Sequence, residues 1–417
     1  MRQAAAVCER AEREFPKAVG EVLDNALSNL AMRRHLGLRS SREIENLRDF
    51  QRLPFMTKDF LRRSDPFELC CTDPGEAVRV HSTSGTTGEA VIIPYTAADV
   101  RIFEMIVARS LRMAGVQPSD RVLVTPGFGL WTAGAGFQGG VESLGACAIP
   151  TGPLPVEALL PFIERLQPDV LIGTASSALL LGETLAAAGK PSPFRSAVLG
   201  AEQWGEKRRK TIEDLLRADT YDIYGMTETY GPGLAIECGC REGLHYWDDL
   251  FFIEIVDPAT GDTLPDGEVG EVVVTTLHKE ALPLIRYRTR DLASIIPGQC
   301  ACGSTFPRLS RVSGRCDDMI TYRGVNLFPS AVERLVAEIE GLGSEFRLVL
   351  ETRSGRDELA VEVELLEGVS PGERAELLSH RMKARLSATP RVNLLPAGTL
   401  PRTLKKSVRV VDKRTNK

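Results

Sequence analysis

The run DVLIGT at residues 169–174 lies between two similar apolar runs, RVLVTP at 121–126 and SAVLGA at 196–201. Helical patterns at 97–114 and 205–217 alternate with these runs. Short apolar strands that alternate with helices are typical of a largely parallel sheet that helices cover. The sequence therefore predicts a layered α/β domain.

The segments around this core predict the remaining architecture. Residues 250–296 contain strand patterns separated by turn residues, which indicates a β-rich subdomain. From 316 onward, two alternating strands are flanked by helices and followed by a polar tail. We therefore predict a large N-terminal α/β domain, residues 1–315, and a small C-terminal α+β domain, residues 316–417. The polar segment 313–319 would be the hinge between them.

The composition excludes several classes of protein. The chain has 417 residues, of which 51 are basic and 56 acidic, so its net charge of −5 argues against nucleic acid or an anionic membrane as a partner. We see no secretory signal and no apolar run of about 18 residues that could span a membrane. Nine cysteines, an odd number, argue against a secreted disulfide framework. We therefore expect a cytoplasmic protein.

A loop rich in glycine and hydroxyl side chains, STSGTTG at 82–88, follows an apolar segment. Glycines allow the backbone to fold tightly, and consecutive amides with hydroxyls can surround phosphate oxygens. The loop lacks the Walker spacing. Taken alone, it is equally consistent with an ordinary turn between two strands.

Further polar motifs follow in order along the chain. YDIYGMTET (221–229) offers an aromatic ring for a base and Thr and Glu side chains for a phosphate and its Mg²⁺. RYRTRD (286–291) ends in a carboxylate suited to a pair of ribose hydroxyls. GRCDDMI (314–320), RGVN (323–326) and PRTLKK (401–406) complete the series. Together these motifs predict a nucleotide site.

These motifs, in this order, resemble the acyl-adenylate-forming superfamily of acyl-CoA synthetases, adenylation domains and luciferases. Within it, the chain is most similar to phenylacetate-CoA ligases, on strings such as LPFMTKDFLR (53–62), YGMTETYGPG (224–233) and KEALPLIRYRTRDL (279–292). The resemblance covers nearly the whole chain. It implies an AMP-forming ligase that uses ATP and Mg²⁺ to convert an aromatic carboxylic acid into an acyl-adenylate, and then forms a thioester with coenzyme A.

The resemblance also implies roles for individual residues. The catalytic residues would be Lys406, with its neighbour Lys405 as the alternative, together with Thr227 and Glu228, the magnesium ligand. The residues that bind ATP or the adenylate would be Ser84, Gly85, Thr86, Thr87, Gly88, Ala201, Glu202, Gln203, Asp222, Ile223, Tyr224, Gly225, Met226, Thr227, Asp291 and Arg315, and the Gly324 loop would face the thiol. The C-terminal domain would rotate about Asp317 between the two half-reactions.

One position departs from the pattern of the resemblance. Many relatives have a lysine directly after the phosphate loop, where this chain has Glu89. Lys58, in the string TKDF, could supply the missing positive charge. The alternative for Lys58 is a salt bridge at a helix end.

Two cysteine pairs, Cys238/Cys240 and Cys300/Cys302, could bind a metal together with His245. Thiolates and an imidazole suit tetrahedral zinc, although the spacing is not that of a known zinc finger. The alternative is a loop of unpaired thiols. The resemblance implies a structural Zn²⁺ held by Cys238, His245, Cys300 and Cys302, with Cys240 as a substitute.

The glycine-rich stretch GFGLWTAGAG (127–136) resembles the part of the family that lines an aryl pocket. Flat apolar walls and small residues suit a planar ring better than an alkyl chain. Core packing against a helix is the alternative for Trp131. The substrate residues implied by the resemblance are Phe128, Trp131, Ala135, Ala201, Ile223 and Pro232.

Two other functions remain open at the level of sequence. One is loading of an aryl acid onto a carrier-protein thiol, which would use the same adenylation residues. The other is a nucleotide-binding protein that has lost catalysis, which Glu228, Asp291 and Lys406 argue against. The resemblance is also compatible with a homodimer.

Overall fold

The computed structural model of the protein describes most of the chain, and the elements below are numbered in chain order. The described residues are 18–83, 89–316, 320–323, 325–353, 356–401 and 409–414. The helices are α1 (18–28), α2 (Leu30–Leu36), α3 (Leu47–Gln51), α4 (Lys58–Arg63), α5 (Ala97–Met113), α6 (Thr132–Leu144), α7 (Val156–Leu166), α8 (Ala175–Ala187), α9 (Glu206–Leu216), α10 (Pro329–Ala337) and α11 (Arg374–Leu386).

The strands form five sheets. They are β1 (Arg79–Ser82), β2 (Ile92–Tyr95), β3 (Arg121–Val124), β4 (Cys147–Ile149), β5 (Val170–Gly173), β6 (Ser196–Gly200), β7 (Asp219–Met226), β8 (Gly231–Glu237), β9 (Leu244–Tyr246), β10 (Phe251–Val256), β11 (Gly270–Thr276), β12 (Tyr287–Ala293), β13 (Ile295–Ile296), β14 (Arg308–Leu309), β15 (Gly314–Arg315), β16 (Ile320–Tyr322), β17 (Val325–Leu327), β18 (Leu342–Arg353), β19 (Arg356–Leu365), β20 (Arg391–Leu395) and β21 (Val410–Asp412).

The largest sheet has nine strands in the order β4-β3-β5-β6-β7-β8-β9-β14-β13. The strands from β4 to β7 are parallel and alternate with helices, as the three apolar runs predicted. Every residue of β5 and β6 is buried, because helices cover both faces. From β7 onward the pairing is antiparallel, so the sheet changes direction at β7.

The predicted β-rich subdomain is a four-stranded antiparallel sheet, β10-β11-β12-β15. A buried ion pair joins it to the N-terminal helices. Arg286 contacts Glu254 through two hydrogen bonds of 3.0 Å, and the same guanidinium donates to the carbonyl of Leu53 at 2.8 Å. Arg286 and Glu254 are 2% and 3% exposed. Because both charges are buried, each depends on the other.

The C-terminal residues have an apolar core of their own, around the sheet β20-β19-β18-β21. The prediction of a polar tail is wrong in part, because this segment forms β20 and β21. Strand β20 pairs in parallel with β19, and β21 pairs in parallel with β18. Val392, Leu394 and Val410 pack against the core from these strands. Such short edge strands gain their stability from tertiary packing, which local polarity does not reveal.

Helix α9 of the large domain contacts the C-terminal residues through charged groups. Arg208, which is 1% exposed, lies 2.7 Å from Glu345, and Glu345 also lies 3.4 Å from Arg409. The Glu333 carboxylate accepts from the Gly205 amide at 3.0 Å. This charged contact fixes how the two parts of the chain are oriented.

Among the described residues, none of the helices has the length and apolar character of a membrane span.

We predict that Arg286→Met lowers the free energy of unfolding by about 3–5 kcal/mol, because the Glu254 carboxylate would stay buried without its partner. Denaturant titration would measure the loss. Arg52→Met is the matched control, since the Arg52 side chain is 80% exposed and lies 3.6 Å from Asp49. Exposed pairs contribute little, so the control should lose less than about 1 kcal/mol. Equal losses would contradict the role given to Arg286.

Candidate active site

Glu228 lies in the turn after β7 and is 4% exposed. Its carboxylate is 3.1 Å from the Lys58 ammonium at the start of α4 and accepts from the Tyr287 hydroxyl of β12 at 3.2 Å. Burial, and then the Glu228 carboxylate, raise the pKa of Tyr287 well above its ordinary value, so that hydroxyl remains a donor. Carboxylate oxygens are ligands that Mg²⁺ prefers, and here the Lys58 ammonium neutralises the carboxylate.

Asp291 forms the second acidic centre. The Tyr224 hydroxyl of β7 donates to one Asp291 oxygen at 2.7 Å, and Arg315 donates to the other at 3.0 Å. Asp291 and Arg315 are partners in the pairing of β12 with β15. Burial and the neighbouring Asp291 raise the pKa of Tyr224 well above its ordinary value. The nine-stranded and the four-stranded sheets therefore meet at Tyr224 and Asp291.

Strand β1, which precedes the predicted phosphate loop, contacts the loop 127–131 of the predicted aryl pocket. The Leu130 carbonyl accepts from the Ser82 amide at 2.7 Å and lies 3.2 Å from Nδ1 of the buried His81. At the base of the loop, the Thr83 amide donates to the Val91 carbonyl at 2.9 Å, and the Val91 amide donates to the Thr83 hydroxyl at 3.0 Å. These contacts place Ser82 beside the 127–131 loop and pair Thr83 with Val91.

The predicted nucleotide-binding residues at 201–203 contact neighbouring segments of the protein. Ala201 is exposed and has a left-handed φ of 67°, which is unfavourable for alanine. The Ser176 hydroxyl donates to Glu202 at 2.8 Å, and Gln203 donates to the Val312 carbonyl at 2.9 Å. Asp222 accepts from the Trp204 indole and the Arg311 guanidinium at 3.2 and 2.9 Å, so its carboxylate is engaged by protein groups, and its role toward the nucleotide stays a prediction.

The predicted substrate residues fall into two groups. Phe128 and Trp131 share the loop between β3 and α6, where Trp131 is 49% exposed and its ring covers Gly127. Ala135 follows on α6, and Pro232 pairs with Gly225 on the neighbouring strand. Ile223, by contrast, is 4% exposed and packs beside Gly200 in the sheet. Trp131 is thus accessible to a ligand, whereas Ile223 has the surroundings of a core residue.

The four predicted zinc ligands lie together. The ligand atoms of Cys238, His245, Cys300 and Cys302 are all within 4.8 Å of one another. The Cys238 and Cys300 sulfurs are 3.6 Å apart, and Cys302 Sγ is 3.4 Å from His245 Nε2. Ligand atoms of a tetrahedral zinc site lie roughly 3.5–4 Å apart, so the geometry fits. His245 Nδ1 contacts the Phe306 carbonyl at 2.8 Å, which orients Nε2 toward the sulfurs.

The profile of AMP-binding enzymes matches residues 15–278, and that of the AMP-binding enzyme C-terminal domain matches residues 324–414. The chain belongs to the AMP-binding enzyme family. This AMP-binding enzyme is 40% identical over 383 residues to the phenylacetate-coenzyme A ligase of Escherichia coli (strain K12), with 89% of this chain and 87% of that one covered. It is 38% identical to the phenylacetate-coenzyme A ligase of Pseudomonas putida, with 88% of this chain and 85% of that one covered.

Solved structures of 2-hydroxyisobutyryl-CoA ligase resemble this AMP-binding enzyme over both parts of the chain. The structure of that ligase in its postadenylation state with 2-HIB-AMP superposes on this chain with a TM-score of 0.88 at 28% identity, and the match covers 97% of this chain and 90% of that one. Its structure in the thioesterification state superposes on this chain with a TM-score of 0.70 at 28% identity, and the match covers 98% of this chain and 90% of that one. The orientation of the C-terminal part described here is therefore closer to the postadenylation state.

The comparisons confirm the predicted family, the mixed α/β fold and the class of enzyme, an AMP-forming acid–thiol ligase. Enzymes of this ligase family use ATP and CoA. Several residues predicted from the motifs lie outside the described residues, so their placement stays a prediction. They are Ser84, Gly85, Thr86, Thr87, Gly88, Asp317, Gly324, Lys405 and Lys406.

Sequence reasoning missed four residues that contact the site, His81, Tyr95, Lys279 and Tyr287. Tyr95 donates to the Thr227 carbonyl at 3.3 Å, and Lys279 donates to the Thr229 carbonyl. A lysine two positions before the apolar run ALPLI (281–285) was a usable signal for Lys279. Tyr287 lies within the quoted motif RYRTRD, but nothing local distinguishes a hydroxyl that reaches Glu228 from one that packs in the core.

We predict that Lys279 makes stability depend on pH. Burial lowers its pKa from 10.5 to about 7. Between these values the unfolded chain binds more protons than the folded chain, so the folded state gains stability as the pH rises. Relative to Lys279→Met, the wild type should gain roughly 1 kcal/mol per pH unit between about pH 7.5 and 9.5 in urea unfolding. A difference that does not change with pH would contradict the prediction.

Proposed function

We propose that this enzyme activates an aromatic carboxylic acid with ATP and Mg²⁺, forming an acyl-adenylate and pyrophosphate, and then transfers the acyl group to coenzyme A. The observation that carries the proposal is the pairing of two acidic centres across two sheets. Glu228 and Asp291 are each held by a tyrosine hydroxyl and a cation, at 2.7–3.2 Å. Such preorganised centres suit a reaction that depends on positioning and charge neutralisation.

In this proposal the two acidic centres have different tasks. Asp291 accepts hydrogen bonds from the ribose hydroxyls of ATP, with Arg315 as a second nucleotide contact. Glu228 would hold the Mg²⁺, which would neutralise phosphate charge. Lys58, which lies 3.1 Å from this carboxylate, would then be available to the phosphates. Lys58 thereby supplies the positive charge that is absent at the exposed Glu89.

The proposed reaction needs no nucleophilic side chain. The substrate carboxylate attacks the α-phosphorus in line and pyrophosphate leaves. Lys406 would bridge the carboxylate and α-phosphate oxygens as negative charge develops there. Rotation of the C-terminal domain about Asp317 would then withdraw Lys406 and bring the Gly324 loop toward the thiol.

The acid is proposed to be aromatic on two grounds. Both relatives described above are phenylacetate-coenzyme A ligases. In addition, Phe128 and the accessible ring of Trp131 lie on the loop whose Leu130 carbonyl accepts from the Ser82 amide of β1. Flat aromatic walls of this kind favour a planar ring over an alkyl chain.

Carboxylate-dependent ATP–pyrophosphate exchange tests the proposed function. We expect exchange with arylacetates or benzoates and little with fatty acids. CoA and a phosphopantetheinylated carrier protein, offered separately to the adenylate, would identify the thiol acceptor. Absence of exchange with every acid would refute the adenylation proposal, and selective exchange with fatty acids would refute the aromatic substrate.

We predict that Lys406→Ala lowers adenylate formation by at least about a hundredfold, because a preorganised charge at the reacting oxygens is lost. The thioester half-reaction, measured from supplied acyl-AMP and CoA, should keep most of its rate. Lys405→Ala is the matched control and should affect neither half-reaction strongly. Equal loss in both halves for Lys406→Ala would contradict the role proposed for Lys406.

We also propose that Cys238, His245, Cys300 and Cys302 hold a structural Zn²⁺. Three of the four side chains are buried, which leaves little access for a substrate. Burial acts to raise the pKa of Cys300, but hydrogen bonds from the Cys302 amide and His245 lower it to about 6, so this thiol is readily available as thiolate. The metal would join β9 to the 300–302 segment. Cys240 is exposed and is not one of these four mutually close ligands, but its side chain contacts Cys238 and Cys300.

Metal analysis of the purified protein should find close to one zinc per chain. Cys302→Ser should lower zinc retention after dialysis against a chelator and lower the melting temperature, because one strong ligand is lost. Cys147→Ser is the matched control, since Cys147 is exposed and outside the cluster. Zinc well below one per wild-type chain would refute the proposed metal.

A further inference from the structure

Lys279 is a buried lysine behind the turn that carries Thr227 and Glu228. It is 1% exposed, and its ammonium lies 3.9 Å from the ring centre of Tyr95 and 4.3 Å from that of Tyr230. It donates a hydrogen bond to the Thr229 carbonyl. An ammonium buried in this way loses its hydration, and the two aromatic faces and the carbonyl replace only part of it. Such a costly group indicates a specific task.

The backbone around Lys279 is fixed from the same side. Asp99, at the start of α5, is 0% exposed and accepts from the Glu280 and Ala281 amides at 2.8 and 3.0 Å. Asn25 donates to the Lys279 carbonyl at 3.2 Å. The side chain therefore extends from a rigid segment, and its ammonium has a fixed position relative to the turn.

Two hydrogen bonds from other parts of the chain, called tethers below, hold the carbonyls of the turn that carries Thr227 and Glu228. The Thr229 amide donates to the Met226 carbonyl at 3.2 Å, which closes a four-residue turn with Thr227 and Glu228 at its centre. Tyr95 donates to the Thr227 carbonyl at 3.3 Å, and Lys279 holds the Thr229 carbonyl. In a turn, the orientation of the peptide groups decides where the central side chains point. The two tethers therefore set the directions of Thr227 and Glu228.

We propose that Lys279 is a positioning residue of the adenylation reaction, which holds the turn from Met226 to Thr229 so that Glu228 can bind the metal of MgATP. The inference rests on the function proposed above for Glu228. Lys279 touches neither nucleotide nor acid in this role and acts only through the Thr229 carbonyl. Its loss thus changes the requirement for Mg²⁺ and leaves the affinity for the acid unchanged.

The test is ATP–pyrophosphate exchange measured against Mg²⁺ concentration for the wild type, Lys279→Met and Lys279→Gln. Methionine is close to lysine in length but cannot donate, so the half-saturating Mg²⁺ should rise about tenfold, as for the loss of a hydrogen bond to a buried carbonyl. Glutamine keeps a donor and should recover part of the change. The KM for the acid should stay within about twofold, since Lys279 contacts none of the described residues proposed to bind the acid.

Two further variants make the result decisive. Lys190→Met, at a lysine that pairs with Glu164 on the surface, is the matched control and should behave as the wild type. Tyr95→Phe keeps the ring and removes only the hydroxyl on the Thr227 carbonyl, so it should raise the Mg²⁺ requirement even if Lys279→Met fails to fold. An unchanged Mg²⁺ requirement in an active, folded Lys279→Met or Tyr95→Phe variant overturns the inference. A wild type without exchange overturns the proposed function as well.

Discussion

The hydrogen bond between Tyr224 and Asp291 joins the nine-stranded and the four-stranded sheets of the large domain, and the proposed site depends on that junction. Tyr224 belongs to the nine-stranded sheet and Asp291 to the four-stranded sheet. The Tyr287–Glu228 hydrogen bond crosses the same junction in the opposite sense. Because both acidic centres need a partner from the other sheet, small relative shifts of the sheets would disturb both centres at once. Burial of the two hydroxyls strengthens the constraint.

The sequence predicted those parts of the fold whose signal is local. The runs around DVLIGT became buried parallel strands because a strand covered on both faces must be apolar throughout. The motif residues Glu228 and Asp291 were predictable for a similar reason, as contiguous polar residues interrupt apolar strands there. Strands β20 and β21 were missed, since their short segments are stabilised by a neighbouring strand and not by their own composition.

At the site, the contacts between segments that are distant in the sequence could not be predicted. Lys58 and Glu228 are 170 positions apart, and only the fold brings the ammonium to 3.1 Å from the carboxylate. Tyr95 and Lys279 likewise reach the turn from separate elements. The cysteine cluster was different. Residue chemistry suggested a metal site, the resemblance selected four ligands, and the structure brings those four together, with Cys240 exposed beside Cys238 and Cys300.

The charged contact of helix α9 bears on how the C-terminal part can move. Arg208 is almost fully buried between the two parts of the chain and lies 2.7 Å from Glu345. A rotation of the kind proposed would break this contact and leave Arg208 with Glu202, 3.9 Å away, and Glu345 with Arg409, 3.4 Å away. The loss of a buried ion-pair contact would therefore oppose departure from the orientation described here. Because both side chains are buried, salt would screen this contact only weakly, so the residence time in this orientation would depend little on the salt concentration.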